Sequence, residues 1–136
     1  MFLPMTDFFK DLRQEAINDI SEIAAEENHE RGSELFLKDD PARNFYILVE
    51  GSVLLTIGDE HPKDYLVHNF GEAFGWSSVV GNDRYTAKAV CLTPTKLLKI
   101  DKADLERVFD AHERSGRKFY MSLAKQLGQR LMDMHV

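Results

Sequence analysis

The chain has 136 residues, of which 43% are hydrophobic and 29% charged, as is usual for one folded domain with a buried core. Its formal net charge of −6 disfavours a protein that works mainly on nucleic acid, because neutralising phosphates requires a basic surface. No run approaches the ~20 apolar residues of a membrane span, and the N terminus lacks the basic region of a signal peptide. The single cysteine, Cys91, allows no internal disulfide, so we expect a cytoplasmic protein.

The N-terminal segment has the periodicity of an amphipathic helix. Apolar residues recur at spacings of three and four, which places on one helical face Phe9, Leu12, Ala16, Ile20 and Ile23. Gly32 is a typical residue for ending a helix. We therefore predict an N-terminal helical segment over residues 1–32.

Residues 33–101 change to the pattern of short β-strands separated by Gly, Pro, Asn and Asp. The predicted strands lie in ELFLKDD, NFYILVEGSVLLTIG (two strands joined through Gly51), DYLVHNF, RYTAKAVCL and TKLLKID. Alternation in YTAKAVC places on one face Tyr85, Ala87, Ala89 and Cys91. Many short strands at regular spacing predict a β-sandwich or jelly roll.

Residues 102–136 are again helical. Asp101 followed by Asp104 is typical of a capped helix start. A last helix is predicted from about Ser115, with an apolar stripe formed by Tyr120, Leu123, Leu127, Leu131 and Met134. The whole chain, 1–136, is thus predicted to be a single, mainly β domain: a jelly roll with an N-terminal helix and two C-terminal helices.

This layout, with FYILVEGSVLLTI, FGEAFGWSSVV…RYTAKAV and KLLKIDKADLERVF, resembles the cyclic nucleotide-binding domain superfamily. That superfamily includes the effector domains of catabolite-activator-type regulators, of protein kinase A regulatory subunits and of gated channels. The most telling matches are Gly51, Phe74-Gly75 and Thr86-Ala87. The resemblance implies a double-stranded β-helix that is regulatory and not enzymatic, in which a bound ligand repositions the C-terminal helices.

The phosphate-binding cassette of that family reads Phe-Gly-Glu, a short apolar helix, a variable loop and Arg-Ser/Thr-Ala. The resemblance implies that the glutamate accepts from the ribose 2′-hydroxyl and that the arginine neutralises the cyclic phosphate. In this chain Trp76 stands at the glutamate position and Tyr85 at the arginine position. Because burying a phosphate without a cation costs several kcal/mol, we predict that binding of cAMP and cGMP is weak or lost.

The candidate ligand pocket consists of the cassette residues Phe74, Gly75, Trp76, Ser77, Ser78, Arg84, Tyr85, Thr86 and Ala87. Two interpretations stay open: the aromatic side chains fill the pocket, or they line a reshaped pocket for a different small effector oriented by the hydroxyls. Arg84 could replace the missing cation only through a one-residue slip, which would turn the alternating strand to its other face. Glu72 is predicted to belong to the turn that enters the cassette.

Metal binding and catalysis are not expected. A cupin-type metal site needs two histidines one residue apart and a glutamate after them, whereas the five histidines stand apart: His29, His61, His68, His112 and His135. Ser77 is not part of a G-x-S-x-G nucleophile turn, and Cys91 lies on an apolar strand face.

The expected partners are a small-molecule effector and a second copy of the chain. Regulators of the family usually continue into a winged helix-turn-helix, which does not follow here before Val136, so we expect no direct contact with nucleic acid. The final helix, residues 115–134, corresponds to the family's dimer element or pocket lid and predicts a homodimer. A true cAMP or cGMP sensor and a structural dimerisation module without ligand remain as alternatives.

Overall fold

The computed structural model describes Thr6 and residues 8–134, apart from the side chain of Met134. The helices are α1 (Gln14–Ile23), α2 (Lys102–Ala111), α3 (Glu113–Met134) and a 3₁₀ helix (Trp76–Ser78). The strands are β1 (Ala25–His29), β2 (Glu34–Phe36), β3 (Asn44–Glu50), β4 (Val53–Ile57), β5 (Lys63–Val67), β6 (Ala73–Phe74), β7 (Ala87–Cys91) and β8 (Thr95–Asp101). The chain forms two compact units: a β unit, Ile23–Asp104, and a helical unit made of Met1–Glu22 with Leu105–Val136.

The β unit contains two four-stranded antiparallel sheets. Their strand orders are β1-β8-β3-β6 and β2-β7-β4-β5. This arrangement, with one helix before and two after the strands, confirms the predicted jelly roll. Alternation along β7 is also confirmed, because Ala89 and Cys91 are buried while Lys88 is exposed.

The first strand differs from the prediction. Helix α1 ends at Ile23, and residues 25–29 form an edge strand instead of continuing the helical segment to Gly32. Strand β1 pairs with β8 along its whole length, and Glu26 and Glu27 lie 3.7 and 3.6 Å from the ammonium groups of Lys96 and Lys99. Alanine and glutamate favour a helix by themselves, so the sheet edge decided this segment.

The start of α2 is capped as predicted. The Asp101 carboxylate accepts a hydrogen bond from the Asp104 N–H at 3.0 Å. This bond satisfies one of the backbone donors that a helix start leaves unpaired.

The helical unit has an aromatic core. Phe119 of α3 packs on Phe8 and Phe109, with ring centroids 5.3 and 5.0 Å apart, and Ile20 of α1 is fully buried. Gly116 allows this packing, because a Cβ there would lie 2.8 Å from the Cβ of Phe109. Of the helices in the described chain, none is both long and apolar enough to cross a bilayer.

Three hydrogen bonds connect the N-terminal segment of the helical unit to the region where α2 meets α3. His112 Nε2 lies 2.8 Å from a carboxylate oxygen of Asp19, and the buried Ser115 hydroxyl accepts from the Arg13 N–H at 3.2 Å. Lys118 donates to the carbonyl oxygen of Asp11 at 3.1 Å. These bonds fix the N-terminal segment on the first turns of α3.

Replacing Gly51 with alanine tests the tightest backbone contact of the β unit. Gly51 has φ +103°, and a Cβ there would lie 2.5 Å from the Pro94 carbonyl oxygen. We expect the free energy of unfolding, measured by chemical denaturation, to fall by about 2–4 kcal/mol. The control is Gly32→Ala, since Gly32 has φ +88° but no atom within 4 Å of the added Cβ. Equal losses in the two variants would contradict a steric role for Gly51.

Candidate functional site

The cassette begins at a backbone position that only glycine fits. Gly75 precedes the 3₁₀ helix and has φ +69°, and a Cβ there would lie 2.7 Å from the ring of Tyr46. The preceding Phe74 is fully buried and stacks on Tyr46 with ring centroids 5.0 Å apart and planes 9° from parallel. Aromatic packing inside the barrel therefore requires the Phe-Gly pair.

Tyr85, at the position expected to hold arginine, is built into the barrel wall. Its side chain is only 4% exposed. Its hydroxyl donates to the Asn44 carbonyl at 2.7 Å and accepts from the Asn44 N–H at 3.1 Å. Its ring stacks on Phe36 at a centroid distance of 3.8 Å, with planes 16° from parallel. Both the ring and the hydroxyl are thus occupied by the protein's own groups.

The two neighbouring tyrosines stay uncharged at ordinary pH. Burial raises the pKa of the Tyr85 hydroxyl, although its hydrogen bond with Asn44 opposes the change. Burial, and next the nearby Tyr85 hydroxyl, raise the pKa of Tyr46 strongly. Neither residue supplies a charge that could offset a buried phosphate.

A cavity of about 50 Å³ lies beside Tyr85 in the β unit. Six predicted pocket residues line it: Gly75, Trp76, Ser77, Tyr85, Thr86 and Ala87. The remaining lining comes from strands β2 and β4, namely Phe36, Leu55 and Ile57. The sequence analysis missed these three residues. Strand alternation shows only that they point inward, and strand pairing, which the sequence does not reveal, decides which of them contact the cassette.

Trp76, at the position expected to hold glutamate, is half-buried at the cavity. No carboxylate or cation is part of the lining. Trp76 therefore borders the space, whereas Tyr85 takes up part of it through its stack with Phe36.

Two further candidate residues, Phe74 and Ser78, are buried but do not line the cavity. The Ser78 hydroxyl donates to the Gly75 carbonyl at 3.0 Å and so closes the 3₁₀ turn. Ser77 is 5% exposed and does line the cavity. The adjacent serines thus have different surroundings.

Arg84 lies outside the cavity, on the surface. Its guanidinium donates to the carbonyl oxygen of Asp39 at 2.7 Å, and its backbone bridges to Pro41. Tyr85 keeps the buried face, so the strand has not slipped. The nearest cation in sequence is therefore held away from the position where the family's arginine would act.

Glu72 closes the turn before the cassette. Its carboxylate accepts from the Tyr65 hydroxyl at 3.0 Å and from the N–H groups of His68 and Asn69 at 3.2 and 3.3 Å. These bonds hold the chain as it enters β6.

Within residues 8–134, no group of three or more His, Cys, Asp or Glu side chains is placed to hold a metal ion. His135 lies outside the described residues. Cys91 is buried, and burial raises the pKa of its thiol, which disfavours the reactive thiolate.

The β unit is a jelly roll whose cavity is lined in part by cassette residues. Residues 26–112 match the family model of the cyclic nucleotide-binding domain, and the chain belongs to that family. A candidate potassium channel protein of Rhodopseudomonas palustris is 28% identical over 102 residues, which cover 75% of this chain. The chain spans a quarter of that relative's length.

Two solved structures are similar over almost the whole chain. A candidate cyclic nucleotide-binding protein from Geobacter metallireducens GS-15 has a TM-score of 0.83 and 27% identity, covering 96% of this chain and 99% of the other. The catabolite activator protein of Thermus thermophilus has a TM-score of 0.77 and 20% identity, covering 96% of this chain and 62% of the other. The second similarity concerns the fold alone.

Replacing Tyr85 with phenylalanine tests how far the hydroxyl stabilises the barrel. The ring can still stack on Phe36, but the backbone groups of Asn44 lose their partner. We expect the free energy of unfolding to fall by about 1–3 kcal/mol in chemical denaturation. The matched control is Tyr120→Phe on α3, where the side chain is 38% exposed and the change should stay within about 0.5 kcal/mol. A loss for Tyr85→Phe no larger than for the control would contradict this role.

Proposed function

We propose that this domain is a non-enzymatic regulatory module whose cyclic nucleotide site is closed by its own aromatic side chains. The observation that supports this proposal is Tyr85, which replaces the cassette arginine and is held by Asn44 and Phe36. The module keeps the family's barrel and C-terminal helices and does not respond to cAMP or cGMP.

Charge is the first reason for excluding a cyclic nucleotide. The cyclic phosphate is an anion, and the cavity lining contains no cation to neutralise it. Burying an unpaired anion costs several kcal/mol, and each 1.4 kcal/mol weakens binding about tenfold. This loss moves a micromolar site to the millimolar range.

Space is the second reason. Pockets for small ligands usually measure about 300–1,000 Å³. The cavity here is about 50 Å³, because the stack of Phe36 on Tyr85 occupies the barrel interior beside it. A nucleotide could enter only if this stack separated and the bonds between Tyr85 and Asn44 broke.

Titration with cAMP and cGMP tests the proposal. We expect no saturable heat in calorimetry up to about 1 mM nucleotide, the range that the charge argument predicts. Trp76 borders the cavity and is the only tryptophan of the chain, so its fluorescence provides an independent measure of occupancy. A micromolar dissociation constant in either measurement would establish a true cyclic nucleotide sensor instead.

A second function, dimerisation through α3, is favoured by an apolar face on that helix. Large side chains are exposed there: Tyr120 (38%), Met121 (63%), Leu131 (59%) and Met132 (67%). Between them lie Ala124, which is exposed, and Gly128, which has no atom within 4 Å of an added Cβ. Tyr120, Ala124, Leu127 and Leu131 follow each other at spacings of four, three and four, the period of a two-helix seam.

We expect a second copy of the chain to cover this face. The opposite side of α3 carries Phe119 and Leu123, which are buried within the helical unit, so the two faces have different roles. The 22 residues of α3 span about 33 Å, which is long enough for several turns of contact between two helices. Such a dimer would transmit a signal from one module to another without any enzymatic step.

Sedimentation of the double variant Ala124→Glu/Leu131→Glu tests the dimer. The wild-type chain should sediment as a dimer at micromolar concentration, and the variant as a monomer, because carboxylates would face each other across the seam. The control is Gln129→Glu, an exposed position on another side of α3. A monomeric wild type, or a variant that stays dimeric, would refute this second function.

A further inference from the structure

The cavity contains two hydroxyl groups for which the structure provides no hydrogen-bond partner. Ser77 and Thr86 line it, and within the described part of the chain neither side chain makes a hydrogen bond. Ser77 is 5% exposed as a residue, whereas Thr86 is exposed. Both hydroxyls are therefore available to a molecule that enters the cavity.

The surroundings of these hydroxyls are apolar and uncharged. The lining consists of aromatic rings from Phe36, Trp76 and Tyr85 and of aliphatic groups from β4 and β7. The Tyr85 hydroxyl is already bound to Asn44. Hydrogen bonding by side chains inside the cavity is therefore limited to the hydroxyls of Ser77 and Thr86 and the indole N–H of Trp76, together with any exposed backbone groups.

We propose that the cavity binds a small, uncharged molecule, or the uncharged end of a larger one, through a single polar group. This group exchanges hydrogen bonds with the Ser77 and Thr86 hydroxyls, and its apolar remainder contacts Trp76 and Ile57. An anionic ligand is disfavoured because no cationic side chain lines the cavity, and a cationic ligand is disfavoured because no carboxylate does. This inference rests on the proposed function, because the small uncharged molecule would bind where a cyclic nucleotide binds in other members of the family.

The size of the cavity restricts the ligand further. Its volume of about 50 Å³ is roughly a third of the ~150 Å³ that admits benzene in an engineered apolar cavity. Only a few non-hydrogen atoms fit inside, such as an amide, carbonyl or hydroxymethyl group. A larger ligand would place this group in the cavity and the rest of its body over Trp76.

Three probes of nearly the same shape separate the charge classes: acetamide is neutral, acetate is an anion and acetamidinium is a cation. They would be titrated into the full ¹⁵N-labelled chain and followed by amide chemical shifts and the indole N–H of Trp76. We expect acetamide to cause saturable shifts at Ser77, Thr86 and Trp76, with a dissociation constant in the millimolar range that a ligand this small allows. Acetate and acetamidinium should bind at least about tenfold more weakly.

The neighbouring serines provide matched variants. Ser77→Ala removes a cavity hydroxyl and should weaken acetamide binding by about two- to tenfold. Ser78→Ala removes a hydroxyl that is bound to the Gly75 carbonyl and does not line the cavity, so the dissociation constant should not change. Amide spectra of both variants show directly whether they keep the fold.

The inference is overturned if acetamide gives no saturable shift at the cavity residues, if the three probes bind equally, or if Ser77→Ala has no effect. Adding cAMP to the same labelled sample distinguishes a failure of the neutral-ligand inference from a failure of the proposed function. Micromolar binding of cAMP would overturn the proposed function. If neither cAMP nor acetamide changed the amide chemical shifts, the neutral-ligand inference alone would be overturned.

Discussion

The pair of hydrogen bonds between the Tyr85 hydroxyl and the backbone of Asn44 is the constraint on which the site depends. It connects the strand region before β7 to the first residue of β3, and it holds the Tyr85 ring against Phe36. In the family pattern this position supplies a cation to a ligand, whereas here it supplies a contact between strands. The ring and the hydroxyl of Tyr85 are thus both engaged in contacts within the protein.

The frame of the cassette, Phe74 and Gly75, has a structural reason in the packing of the barrel. Gly75 is required because a Cβ there would lie 2.7 Å from the ring of Tyr46, on which Phe74 also stacks. Glu72 binds the turn that leads into this segment. The frame can therefore persist when the ligand changes, because removing it would cost packing in the barrel.

The helical unit shows the same division between packing and interaction. One side of α3 is buried through Phe119 and Leu123, while the other exposes Met121 and Leu131. The Asp19 carboxylate accepts a hydrogen bond from His112, and the Arg13 N–H donates to Ser115, so the N-terminal segment is fixed near the start of α3. Later turns of the helix thus keep an exposed apolar surface, which suits a role in contacts with another chain.

The sequence by itself determined the jelly roll, the capped start of α2 and the exchange of charged for aromatic residues at Trp76 and Tyr85, since periodicity, turn residues and a spaced motif are local properties. It could not place residues 25–29, where pairing with β8 outweighs the helix preference of alanine and glutamate. Nor could it show that Phe36 completes the cavity, or that two adjacent serines differ in surroundings. Only the tertiary structure decided these features, because they depend on which distant strands meet.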